Sequence, residues 1–156
     1  MPERILMPLD GSELGEAAIS YIDGLISRLA PEQTVEITLF HVITQVRHSV
    51  AFQGGGSIAI PYTEEELKKF KDEAMAYLER VSSRLQQEKI VVERRVAVNE
   101  SPAEAILEAK DEVKATLIAM ATHGRGGLSR FAIGSVADKV MRSSDVPVLM
   151  VRSSEK

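Results

Sequence analysis

Hydrophobic and polar positions follow two alternating patterns along the chain: short apolar runs, and longer segments in which apolar residues recur at helical spacing. The apolar runs are Arg4 to Leu9, Val35 to Ile43, Ile90 to Val98, Thr116 to Ala121 and Val146 to Arg152. The segments between them are typical of amphipathic helices. The resulting order, βαβαβαβαβ, predicts a mostly parallel sheet with helices on both of its faces.

The predicted helices begin at capping sequences. Candidates are Ser12 for the first helix, a capping box at Thr63 to Glu66 for the second, and Ser101 with Pro102 and Glu104 for the third. The last helix is predicted over Gly134 to Arg142. The first helix is predicted as about five turns that end before Pro31.

Two stretches differ from the regular pattern. Thr44 to Tyr62 contains three consecutive glycines and has no clear period, which predicts a long loop; a functional loop and a plain excursion both fit this sequence. The run Ile90 to Val98 carries Glu93, Arg94 and Arg95, so it is predicted at an edge of the sheet.

Leu117 to Ala137 combines an apolar run, a glycine-rich loop and a helix start. Free backbone N–H groups and the helix dipole make such a place suited to anions. The loop lacks the Gly-Lys pair of a P-loop and does not complete GxGxxG. Asp10, the region of Val42 and this loop all follow predicted strands, so they could share one crevice at the carboxyl edge of the sheet.

Composition narrows the class of protein. The 156 residues fit one domain, and a net charge of −4 argues against nucleic acid as the main partner. No apolar run reaches the roughly 20 residues of a membrane span, and the N-terminus does not have the composition of a secretory signal. The absence of cysteine excludes disulfides and thiolate metal sites and fits a cytoplasmic protein.

The sequence ATHGRGGLSRFAIGSVADKV, followed by SSDVPVLMV, resembles the nucleotide-binding branch of the universal stress protein family. The pattern of that branch is glycine, two residues, glycine, nine residues, then Gly-Ser or Gly-Thr. Gly124 and, after nine residues, Gly134-Ser135 match its second and third parts, whereas Ala121 stands at the first glycine. RILMPLDGS, LFHV and VPVLMV also resemble family signatures, so the likeness covers nearly the whole chain.

The resemblance implies a single universal stress protein domain over residues 1–156. Its fold would be a three-layer α/β/α sandwich with a five-stranded, mostly parallel, Rossmann-like sheet of the adenine nucleotide alpha hydrolase type, in the strand order 3-2-1-4-5. A homodimer is expected through the last strand, Val146 to Arg152, because a short apolar strand at a sheet edge has unpaired backbone groups.

The resemblance also implies ATP as the ligand, with any Mg²⁺ held by its phosphates, and a role for each matching residue. Pro8, Leu9 and Asp10 would border the base and ribose, Val42 would offer its backbone to the adenine edge, Met120, Ala121, His123 and Gly124 would follow the ribose and phosphates, and Gly134, Ser135, Val136 and Ala137 would hold phosphate oxygens. Arg125 could neutralise phosphate charge.

Several alternatives stay open at this point. Asp10 could instead shape the Asp-Gly-Ser turn, and Ser135 could be only an N-cap. For the whole chain, a regulatory ATP-binding protein is the first hypothesis. A slow ATPase or phosphotransferase is the second, and a dimeric interaction module that has lost nucleotide binding through the methyl group of Ala121 is the third.

Overall fold

Five parallel strands form the central sheet in the computed structural model, which describes residues 1–29, 32–85, 87–122 and 133–152. The strands and helices are β1 (Glu3–Pro8), α1 (Ala17–Leu29), β2 (Val35–Ile43), β3 (Arg47–Ala51), β4 (Ser57–Pro61), α2 (Glu64–Ser82), β5 (Ile90–Val98), α3 (Pro102–Glu112), β6 (Leu117–Ala121), α4 (Ser135–Ser143) and β7 (Val148–Val151).

The sheet has the order β5-β2-β1-β6-β7, and all four strand pairs are parallel. Without β3 and β4, which form a separate hairpin, this is the predicted order 3-2-1-4-5. The order reverses between β1 and β6, which places the switch point of the fold at the carboxyl ends of these two strands. β5 and β7 are the edges, as their sequences predict.

Each face of the sheet is covered by two helices, which confirms the three-layer arrangement. One apolar cluster joins α1 and α2 to the sheet through side chains such as Ile22, Leu39 and Leu78. The other joins α3 and α4 to the opposite face through side chains such as Ile106 and Val140. Because neighbouring strand residues point to opposite faces, Phe40 belongs to the second cluster and Leu39 to the first.

The prediction of a loop over Thr44 to Tyr62 is wrong. β3 and β4 pair there as an antiparallel hairpin, with Val50 opposite Ile58. The turn is made by three glycines at positions 54–56, whose φ angles of 115°, 89° and 121° favour glycine. Apart from the intermediate His48, every side chain of both strands is exposed, so the hairpin lacks the buried alternation by which a sequence indicates a strand.

Of the three predicted helix caps, one is confirmed in full, one by position only, and one is wrong. The Thr63 capping box is confirmed, with the Thr63 N–H donating to Glu66 Oε2 at 2.8 Å and the Glu66 N–H to Thr63 Oγ1 at 3.2 Å. Ser101 is an N-cap by position, but its hydroxyl makes no capping bond. Ser12 is not the N-cap of α1: a 3-10 turn at Leu14–Glu16 comes first, and α1 begins at Ala17.

Candidate functional site

A cleft of about 710 Å³ opens at the carboxyl edge of the sheet, next to the switch point. It brings together all the predicted site residues that the structure describes: Pro8, Leu9, Asp10, Val42, Met120, Ala121, Gly134, Ser135, Val136 and Ala137. His123, Gly124 and Arg125 lie outside the described residues. The roles of all thirteen stay predictions, but the described ones face a common space.

The turn after β1 is fixed by the carboxylate of Asp10. Its Oδ1 accepts hydrogen bonds from the Ser12 N–H at 2.9 Å and the Ser12 hydroxyl at 2.6 Å. The Ser12 hydroxyl in turn accepts the Gly15 N–H at 2.9 Å. A side chain at Gly15 would place its Cβ 2.4 Å from Asp10 Oδ1, so the turn needs glycine there. Asp10 therefore does shape this turn, a role that is compatible with bordering a ligand.

The backbone of Val42 points into the cleft because the ladder between β1 and β2 ends just before it. On the β1 side of β2, the Phe40 carbonyl accepts the Leu9 N–H at 2.8 Å, and on the β5 side the Ile43 carbonyl accepts the Asn99 N–H at 3.0 Å. By alternation, the N–H and C=O of Val42 face the β1 side. No backbone bond continues the ladder to Val42 in the described part of the chain.

The imidazole of His41 ends that ladder. In a continuing parallel ladder, the Val42 N–H would donate to the Leu9 carbonyl. His41 Nδ1 instead lies 2.8 Å from this carbonyl oxygen. A carbonyl oxygen can only accept, so Nδ1 is the donor. Within the part of the chain that the structure describes, this contact leaves the backbone N–H and C=O of Val42 without a bond to β1.

The N-terminus of α4 forms the other end of the cleft. The Asp138 N–H donates to the Gly134 carbonyl at 2.9 Å, the first bond of the helix. The N–H groups of Ser135, Val136 and Ala137 therefore precede the helical ladder, and no side chain among the described residues caps this end. Ser135 is the first helical residue and Gly134 the N-cap, so the interpretation of Ser135 as the N-cap is wrong.

Ala121 ends β6 as a residue of ordinary backbone conformation. Lys114 is the only non-glycine residue with positive φ among those that the structure describes, so position 121 does not need glycine for its backbone. The side chain is 9% exposed. By alternation it points to the face of Ala119, toward α1, and away from the face that carries Met120.

Apolar side chains line the cleft between its two polar ends. Phe40, Ile106 and Met120 belong to the cluster beneath α3 and α4, and they line the cleft with Pro102 and Val136. A surface of this kind suits the face of a heterocyclic base, because pocket walls are mostly apolar and a few polar groups fix the orientation of the ligand.

Helix α2 contributes a part of the cleft that sequence reasoning missed: Phe70, Glu73, Ala74, Tyr77 and Arg80, here called the α2 wall. The helical spacing of Phe70, Ala74 and Tyr77 predicts a core stripe, and the charges between them predict a solvated face. Only the hollow beside β2 makes this side of α2 a wall of the cleft. The Tyr77 hydroxyl donates to Glu16 Oε2 at 3.1 Å, and Arg84 Nη1 donates to Glu16 Oε1 at 2.7 Å. Burial, and then the charge of Glu16, raise the pKa of Tyr77, so its phenol stays neutral.

Within residues 1–29, 32–85, 87–122 and 133–152, no group of three or more histidine, aspartate or glutamate side chains could hold a metal ion. No helix in the same ranges is both long and apolar enough to cross a membrane.

The sequence matches the universal stress protein family over residues 1–152. The universal stress protein YxiE of Bacillus subtilis is 31% identical over 156 residues, covering 97% of this chain and 100% of the relative. The solved structure of MJ0577, a universal stress protein of Methanocaldococcus jannaschii, has a TM-score of 0.74 at 24% identity, with 100% and 99% of the two chains covered. A universal stress protein in complex with cAMP has a TM-score of 0.63 at 20% identity, with 98% of each chain covered. Together with the parallel sheet and its cleft, these matches show that the chain belongs to the universal stress protein family.

Proposed function

We propose that this protein binds ATP in the cleft and acts in regulation by binding, with Mg²⁺ carried on the phosphates of the nucleotide. The observation that carries the proposal is the pairing of two backbone sites across one apolar cleft. Among the described residues, the backbone N–H and C=O of Val42 make no bond to β1 at one end, and three N–H groups of α4 lie at the other. The first suits the edge of a base and the second suits phosphate oxygens.

One comparison supports nucleotide binding, and one contact of this chain supports binding over turnover. A structural relative was solved in complex with cAMP, an adenine nucleotide. In this chain, Oδ1 of Asp10 already accepts two hydrogen bonds inside its own turn, which favours a structural role over that of a general base. We also propose that the protein is a single cytoplasmic domain that forms a homodimer through β7, whose open edge is described below.

Thermal melting with and without ATP and Mg²⁺ tests the binding. At about 100 times its dissociation constant, a ligand of the folded state adds about 2.7 kcal/mol, which raises the melting temperature of a domain of this size by roughly 5 to 10 °C. Mass analysis of nucleotide released from freshly purified protein identifies a retained ligand. An unchanged melting temperature at millimolar ATP, with no nucleotide released, would contradict the proposal.

A single-turnover incubation separates binding from hydrolysis. The protein is held in excess over radiolabelled ATP with Mg²⁺, and ADP is followed for hours. We expect ATP to persist at the level of a protein-free control. ADP that forms in the wild type but not in a variant of the cleft would instead make the protein a slow ATPase.

A further inference from the structure

We propose that the α2 wall is a second subsite of the cleft, which takes an uncharged planar aromatic ring beside the base of the nucleotide. The ring could be attached to the base, as in an adenine nucleotide with an aromatic group on its exocyclic amine, or it could belong to a separate small molecule. The inference rests on the proposed function for the place of the nucleotide, and it adds the class of ligand that the remaining part of the cleft fits.

The α2 wall lies on the face of the sheet opposite to the side chain of Val42, and it begins close to Asp10. After burial and Glu16, the charge of Asp10 also contributes to the raised pKa of Tyr77. Val42 packs with the cluster beneath α3 and α4, whereas the ring of the preceding residue, His41, lies 6.1 Å from that of Tyr77 on α2. The cleft therefore passes around the end of β2 from one face of the sheet to the other. A base held at the backbone of Val42 would leave the space beside α2 unfilled.

The shape of the α2 wall suits a flat group. Phe70, Ala74 and Tyr77 line the cleft from the same side of α2, and the small side chain of the buried Ala74 lies between the two residues that carry rings. Other side chains fix the positions of both rings. The Tyr77 hydroxyl bonds to Glu16, and the Phe70 ring packs edge-to-face on the Tyr62 ring, with 4.9 Å between the ring centres. Rings that are already fixed lose little conformational entropy when a ligand ring packs on them.

The charges around the α2 wall favour a neutral ring over a phosphate. Glu73 and Glu16 lie on this side of the cleft, and the Arg80 guanidinium is 5.9 Å from the centre of the Tyr77 ring, where it interacts with the π face. Glu73 lines the same part of the cleft, and its carboxylate can accept hydrogen bonds. The subsite therefore combines aromatic faces with an acceptor, which suits a ring that carries an N–H.

Calorimetric titration of the protein with ATP and with N6-benzyl-ATP tests the inference. We expect wild type to bind N6-benzyl-ATP at least as tightly as ATP, because the benzyl ring gains packing contacts with the α2 wall. Ala74→Leu adds volume to the α2 wall between Phe70 and Tyr77. It should lower the affinity for N6-benzyl-ATP, relative to the affinity for ATP, about tenfold. Ala76→Leu, the same change at an exposed position of α2, is the matched control and should leave both affinities unchanged.

Phe70→Ala provides a second variant that removes a ring instead of adding volume, and it should lower the same ratio without crowding the helix. Benzimidazole added to ATP-saturated protein distinguishes a separate molecule from an attached ring. Shifts of the Phe70 and Tyr77 ring signals in NMR spectra would show that a free ring binds there.

The inference is overturned if wild type binds ATP but binds N6-benzyl-ATP about tenfold more weakly and benzimidazole shifts neither ring. It is also overturned if Ala74→Leu and Ala76→Leu change the two affinities alike and benzimidazole again shifts neither ring. Failure of wild type to bind ATP would contradict the proposed function instead. Benzimidazole alone would then decide: shifts at Phe70 and Tyr77 would support the subsite, and their absence would overturn it.

Discussion

His41 makes a contact that decides whether the backbone of Val42 is available. Its Nδ1 donates to the Leu9 carbonyl at 2.8 Å, the oxygen that a longer ladder would give to the Val42 N–H. The imidazole thus occupies the Leu9 carbonyl and keeps it from the Val42 N–H. We infer that it is a positioning residue for any base held at Val42.

Replacing His41 tests this role. His41→Leu frees the Leu9 carbonyl for the Val42 N–H, so we expect ATP affinity to fall roughly five- to tenfold. His41→Asn keeps a donor near the position of Nδ1 and should retain most of the affinity. Calorimetry gives the affinities, and melting of the ligand-free variants shows whether they fold. Equal affinities for the leucine and asparagine variants would contradict the role.

A side chain at position 134 would affect the fold and a bound ligand differently. The φ of Gly134, −58°, suits any residue, and an added Cβ would meet the Thr122 carbonyl oxygen at 3.5 Å, an ordinary contact. A phosphate on the N–H groups of Ser135 to Ala137, however, would meet the new methyl group. The fold therefore tolerates alanine at a place where a bound anion would not.

We expect Gly134→Ala to lower the free energy of unfolding by under about 1 kcal/mol, since alanine is the poorer N-cap. ATP affinity should fall about tenfold. Denaturant titration and calorimetry measure the two effects on the same protein. If the affinity for ATP stays at the wild-type value, the phosphates do not lie at the start of α4.

At the scale of elements, the sequence predicts best where burial dictates the pattern. β2 lies between β1 and β5 and is mostly buried, and its predicted bounds match the structure. The bounds of β5 match as well, although it is an edge strand with only Ile90 buried. The hairpin of β3 and β4 could not be predicted in this way, because exposed strands need no apolar periodicity. The predicted start of α1 is wrong for another reason: the Ser12 hydroxyl bonds to Asp10 within the turn and does not cap the helix.

The candidate site shows the same division. Motif residues such as Asp10 and Val42 could be placed in one crevice from the order of the strands, and the place of Ser135 beside them came from the family resemblance. The α2 wall could not be placed there, because its stripe fits a buried helix face equally well. The role of His41 depends on a side chain that bonds the neighbouring strand, and no spacing in the sequence indicates such a contact.

Lys110 ties the end of α3 to the turn before β7. Its side chain is only 7% exposed and contacts Asp111 Oδ1 at 2.7 Å and the carboxylate of Asp145. These bonds, that with Asp111 first, raise the pKa of Lys110. The bond from Lys110 holds the pKa of Asp145 below its ordinary value of 3.8. A lowered carboxyl pKa stabilises the fold above the unfolded value and ceases to do so as the pH falls through the folded one.

Asp145→Asn should therefore lower the stability at pH 7, and the difference from wild type should shrink as the pH falls below about 4. Urea titrations between pH 7 and pH 3 measure this. Asp72→Asn, which removes an exposed partner of Lys68 on α2, is the control and should have the smaller effect at pH 7. A difference in the free energy of unfolding between Asp145→Asn and wild type that persists unchanged to pH 3 would contradict a stabilising Lys110–Asp145 ion pair.

At the scale of the whole molecule, the open edge of β7 determines how two copies could meet. The Ile118 N–H donates to the Pro147 carbonyl and the Thr122 N–H to that of Val151, both at 3.0 Å. Positions 147, 149 and 151 therefore face β6, so the N–H and C=O groups of Val148 and Met150 point outward. β7 is the last strand of the sheet, and these groups have no strand beside them in the described structure.

A proline at Met150 tests the proposed homodimer, because it removes an outward N–H without breaking the ladder to β6. We expect wild type to sediment as a dimer at micromolar concentration, and Met150→Pro to raise the dimer dissociation constant at least about tenfold. Met150→Ala loses the side chain but keeps the N–H, so it should stay dimeric. Leu149→Pro would not discriminate, since its N–H faces β6 and its loss damages the sheet itself. A monomeric wild type would refute pairing through β7, and so would a Met150→Pro variant that dimerises as well as Met150→Ala.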